Sequence, residues 1–197
     1  MSRTAFRLIA TVALTLAPGV AFAHPGHGAD SSLLAGFWHP FSGIDHLLAM
    51  TAVGLLASQL GGRALWAVPT TFVAVMAFGG VLGADGVALP FVETAIALSV
   101  AVFGILILSG ISLPVLAAMV LVGGFALFHG YAHGAEMPSG GALMAYGFGF
   151  VTATALLHSL GITLGLAISR INQPHRVVQA CGAAIAIVGI GLTFGLV

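Results

Sequence analysis

The stretch GIDHLLAMTAVGLLASQL, residues 43–60, decides how the chain is read. After Asp45 and His46 it carries no further charge, and its apolar residues do not fall into the single stripe of a water-soluble helix. Its length is close to the ~20 residues that cross the hydrocarbon core of a bilayer. Ionisable side chains inside a membrane cost several kcal/mol and mark functional sites by default. One segment therefore predicts both a helix whose solvent is lipid and a chemical purpose for its first turn.

Five more apolar runs follow, at residues 64–82, 89–109, 113–131, 141–169 and 177–197. With 59% hydrophobic and 5% charged residues, the chain lacks the polar surface that a soluble domain needs. The expectation is an all-α integral membrane protein, a bundle of about six transmembrane helices after a cleavable signal peptide. The 141–169 run exceeds one span, so it is either tilted or broken near Ser159–Leu160–Gly161. Gly161/Gly165 and Gly191/Gly195 have the spacing that lets helix backbones approach closely.

Residues 1–23 read as the signal peptide: Arg3 and Arg7, an apolar stretch, then Ala21-Phe22-Ala23 at the cleavage site. A retained first transmembrane helix is the alternative, against which Pro18 and Gly19 argue. The division that follows is a signal at 1–23, an exported segment at 24–42 and a six-helix transmembrane domain at 43–197. The mature N-terminus then lies outside. Arg63, Arg170 and Arg176 all fall in cytoplasmic loops, as the positive-inside bias requires. The location implied is a bacterial inner membrane, crossed several times, with the lipid bilayer as partner.

Zero net charge without a basic patch gives no sign of nucleic acid as a partner. No lysine is present, so the chain has no Walker A loop with which to hydrolyse ATP. The lone Cys181 reads as a small buried hydrophobe.

Histidine carries the chemistry. In His39-Pro40-Phe41-Ser42-Gly43-Ile44-Asp45-His46, imidazole and carboxylate suit nickel, cobalt or zinc, and Met50 adds a softer donor one turn on. On a continuous helix His39 and His46 would stand ~10 Å apart, too far for one ion. Either residues 40–43 are non-helical and fold His39 inward, or His39 is an outer station and Asp45/His46 an inner one. Pro40 favours the broken start.

His129 and His133 have the i, i+4 spacing that sets two imidazoles on one helix face, with Glu136 as a third ligand or orienting carboxylate. His158 stands alone in its span, as a ligand or as a histidine bonded to a neighbouring helix. Glu93 reads as an interfacial carboxylate and His175 as a solvated loop residue. At the mature terminus the freed amine, His24 and His27 make a loose capture site, since Pro25 removes an amide that a square-planar site needs.

His39-Pro40-x-x-Gly43-x-Asp45-His46 resembles the signature of the HupE/UreJ family of nickel/cobalt permeases. The segment from Phe128-His129-Gly130 to His133-Gly134-x-Glu136, and His158 to Gly161, resemble that family's later motifs. The resemblance implies a secondary permease, not an enzyme. It would move Ni2+ or Co2+ as substrate, without a resident cofactor, towards a nickel or cobalt enzyme maturation system.

On this reading metal gathers near His24 and His27 and is held by Asp45 and His46 with His129, His133 or His158. Uptake should weaken as pH falls through about 6.5, since ligation needs the neutral ring. A membrane-embedded zinc hydrolase using the same His/Asp set is the alternative, although no HExxH helix is present. A haem-binding electron carrier is a third, testable by a Soret band.

Overall fold

The computed structural model describes residues 33–136 and 143–196, so residues 1–23, His24 and His27 lie outside the described part. All its regular structure is helical: α1 (Leu33–Ser42), α2 (Ile44–Leu60), α3 (Ala64–Ala84), α4 (Val92–Ser109), α5 (Val115–Ala135), α6 (Leu143–Ile168) and α7 (Pro174–Thr193). Each of α3 to α7 is long and apolar enough to span a membrane. The pair α1 and α2, bent by 88° between them, passes the same test together, as a broken span or a re-entrant loop.

α2 is the axis of the bundle and packs against every other described helix. Ala52, Val53, Leu56 and Ala57 on it have no accessible surface. The closest packing is α3 on α5, then α4 on α7, α2 on α6 and α1 on α6. Glycine supplies these approaches. A Cβ on Gly130 would meet the Met76 backbone, one on Gly104 the Ala186 backbone, and one on Gly54 the His158 backbone. Lipid gives helices no hydrophobic reason to associate, so close backbone contact has to hold them together.

Those pairings also fix directions. α2 and α6 run parallel, as do α3 and α5, while α4 and α7 are antiparallel. The α1–α2 junction, the end of α5 and the start of α6 therefore share one end of the bundle. Arg63, Arg170 and Arg176 share the other.

One expectation changes, and one pair of alternatives is narrowed. Residues 40–42 are helical, with Pro40 inside α1, and the break falls on Gly43 alone, in extended conformation at φ −105° and ψ 125°. Proline disfavours the α conformation of the residue before it without forbidding it. Second, α6 is one unbroken helix of 26 residues. Ser159 turns its hydroxyl back to the Ala155 carbonyl (2.8 Å) within the helix, and Gly161 packs on α2. Of the glycine pairs, Gly161 and Gly165 do meet α2, but Gly195 has open space and α7 instead uses Gly182 and Gly189. Cys181 is half-buried against the core.

Candidate metal centre

The bend at Gly43 builds the first part of the site. Asp45 sits in the first turn of α2, and its Oδ1 accepts both the His46 backbone N–H (2.7 Å) and the His46 Nδ1–H (2.9 Å). A carboxylate accepts only, so the ring proton is on Nδ1 and the buried Nε2 carries the lone pair. A carboxylate behind a histidine in this way is the common orienting partner of metal-ligating imidazoles. A side chain at position 43 would occupy the carboxylate's place: its Cβ would stand 2.6 Å from Asp45 Oδ1 and 3.3 Å from His46 Nδ1. The spacing Gly43-x-Asp45-His46 therefore has a steric cause.

The same bend lays α1 along α6, from which the His39 side chain reaches α5. The His39 ring meets His133 edge-on at 4.6 Å between centroids, and the His46 ring lies 4.4 Å from His133 and 4.7 Å from His129. His39 and His46 thus share His133, on a helix that continues past position 131, where the expected span ends. Glu136 caps that helix, and its Oε2 stands 3.7 Å from His39 Nε2.

Ligand atoms of His39, His133 and Glu136 all lie within 4.8 Å of one another. Two donors on one ion, each ~2.1 Å from it, stand ~3.4 Å apart in tetrahedral geometry and ~4.2 Å when opposite, so the widest pair of this trio has to close by up to about 1.4 Å to share an ion. Among the described residues this is the one group of three that meets that distance. His46 touches its inner side through the ring of His133, and His129 in turn touches His46.

His158 reaches the cluster through Phe72, whose ring meets His158 at 5.0 Å and His129 at 5.6 Å. The order from the bundle end inward is Glu136 (exposed), His39 (half-buried), then His133, His46, His129 and His158 (all buried). Phe150 backs His133, with ring centroids 4.0 Å apart. Both ring nitrogens of His133 and His158, with His46 Nε2 and His129 Nδ1, are buried without a protein partner. Buried polar atoms are almost always hydrogen-bonded, so six lone exceptions in one cluster call for a ligand.

Other expected residues lie apart. Met50 is fully buried in the apolar core, one turn from His46. Glu93 is exposed in the first turn of α4. His175 is exposed and lines a polar cleft of about 210 Å³ with Gln59 and Gln179, at the end away from the histidines. An almost wholly apolar cavity of about 320 Å³ reaches His133 from the side, between Met76, Gly80, Tyr146 and Phe150.

Sequence reasoning missed Ser99, fully buried on α4, whose Oγ lies 2.9 Å from His129 Nε2. A lone serine within an apolar run was its only signal. Phe72, Tyr146 and Phe150 gave none, because aromatic residues in a membrane helix most often face lipid or core.

The family model described as HupE / UreJ protein matches residues 12–192. Protein HupE of Rhizobium leguminosarum bv. viciae is 50% identical over 190 residues, which cover 96% of this chain and 98% of that one. No solved structure matches. The chain belongs to the HupE/UreJ family.

Proposed function

We propose, from that membership, that the protein is a secondary permease that carries nickel, or cobalt, inward across the bacterial inner membrane, and that the buried imidazole file is its path. What supports this most is the set of six buried ring nitrogens without protein partners, strung between an exposed carboxylate and the middle of the bundle. Neutral imidazoles are good donors to both ions, and selectivity between the two comes from geometry.

The outer station is His39, His133 and Glu136. There a hydrated ion exchanges water for two rings and a carboxylate while still near solvent. His46, held by Asp45, then approaches the same His133, so the ion passes inward without losing its nitrogen donors. His129 and His158 continue the file past Phe72. Two carboxylates, Asp45 and Glu136, balance a 2+ charge that low dielectric would otherwise make costly to bury. Below His158, Gly54 and Gly161 bring α2 and α6 into backbone contact, and on this reading that contact closes the path. Release inward requires those two helices to part.

The test is nickel and cobalt accumulation in cells stripped of their own uptake systems, comparing wild type with Asp45→Ala and His46→Ala at equal membrane levels. Uptake in wild type that both variants abolish is the expected result. No uptake by well-expressed wild type, together with stoichiometric zinc in the purified protein, would replace the permease with the zinc hydrolase.

A further inference from the structure

Serines in these helices mostly turn their hydroxyls back on their own backbone, as Ser58 does to Leu55 O and Ser169 to Leu166 O. This habit is common in apolar helices and says nothing of function. Ser99 makes the same bond, donating to Ile96 O at 2.6 Å, but it also meets an imidazole nitrogen. A hydroxyl has one proton, and here the carbonyl receives it. Towards His129 the oxygen can only accept. The 2.9 Å contact must then be Nε2–H donating to Ser99 Oγ, which leaves the lone pair on Nδ1. Nδ1 is the buried His129 atom without a protein partner.

We propose that Ser99 is a positioning residue for the transported metal: it holds His129 in the Nε2–H tautomer, so that Nδ1 is the donor offered to the ion. Asp45 fixes His46 in the opposite tautomer, with Nε2 as donor. The two neighbouring rings are thereby set before metal arrives, one from α4 and one from the first turn of α2. His133 and His158 have no protein partner on either nitrogen, so their tautomers stay free to follow the ion. Fixing some donors in advance lowers the cost of ordering them on binding. Two fixed rings between free ones define the place where the ion is held rather than merely passed. This rests on the permease reading, since it assigns an atom to that site's donor set.

The test uses full-length protein with 15N-labelled histidine in nanodiscs of phosphatidylethanolamine and phosphatidylglycerol, free of metal. His129 signals are assigned by their loss in His129→Gln, and nickel affinity is measured by calorimetry. Wild type should show the His129 proton on Nε2. In Ser99→Ala the two tautomers should mix, and nickel should bind ~10-fold more weakly or worse, the usual effect of losing an orienting partner.

A wild-type proton on Nδ1 overturns the proposal, and so does Ser99→Ala with affinity within about twofold of wild type. If Ser99→Ala does not fold, the wild-type spectrum still decides. Wild type that binds no nickel would sink the permease reading, while the proton position separately reports on the Ser99 bond.

Discussion

Gly43→Ala should disable the site without straining the backbone, because φ −105° and ψ 125° suit any residue. Its whole effect should come from one methyl group, 2.6 Å from Asp45 Oδ1. Carbon and oxygen settle no closer than about 3.3 Å, so the carboxylate must retreat by about 0.7 Å. Retreating straight from the methyl by that much lengthens the 2.9 Å bond to His46 Nδ1 to about 3.2 Å, the outer limit of a good N–H···O hydrogen bond.

The hold on the His46 tautomer weakens, and an orienting partner of this kind is worth at most about 10- to 100-fold in metal affinity, the effect of losing it outright. That range corresponds to about 1.4–2.8 kcal/mol. The assay is a double-mutant cycle in nickel affinity by calorimetry on purified protein, over wild type, Gly43→Ala, Asp45→Ala and the pair. Once Asp45 is alanine the new methyl meets no carboxylate, so Gly43→Ala should change affinity by less than about twofold there. Equal losses in both backgrounds, or no loss in wild type, would refute the steric account of the motif.

His133→Ala should weaken nickel binding more than His39→Ala or Glu136→Ala does, because both His39 and His46 lean on its ring; calorimetry that ranked His133 below either would contradict the shared station. Nickel affinity should fall between pH 8 and 5, since protons compete for the imidazole lone pairs at the acid end of that range, and a flat profile would exclude histidine ligation. Gly104→Ala lies where α4 meets α7 and should cost about 1–3 kcal/mol, seen as a lowered melting temperature, with nickel affinity of the folded fraction kept.

The spans were readable because lipid imposes a simple rule on composition, and helices α3 to α7 each contain most of an expected run. The site was readable only by residue type. Asp45, His46, His129 and His133 stand out as polar groups in apolar runs, but spacing along one helix says nothing about meetings between helices. The meeting of His39 with His133 depends on an 88° turn at one glycine. Pro40 in the same motif drew attention to the wrong residue, since a proline's preference is visible in sequence and a glycine's steric permission is not. Ser99 was hidden for the opposite reason: serine in a membrane helix is ordinary, and only its distance to His129 separates it from Ser58 or Ser169.

The packing also explains why the signature begins where it does. α2 touches every other described helix, so whatever its first turn carries sits at the convergence of the bundle. Gly43 leaves room for a carboxylate there, Asp45 fills it, and His46 is set against α5. At the other end of the same helix, Ser58 and Gln59 line the polar cleft with His175. Between the two ends, Gly54 lies against the His158 backbone. A carrier must bind on one side and release on the other without being open to both. A central helix with ionisable groups at one end, a cleft at the other and a glycine contact between them fits that requirement. The moving part is then the α2–α6 contact rather than the histidines. On that mechanism, a cross-link that ties α2 to α6 should stop nickel uptake while leaving binding at His133 intact.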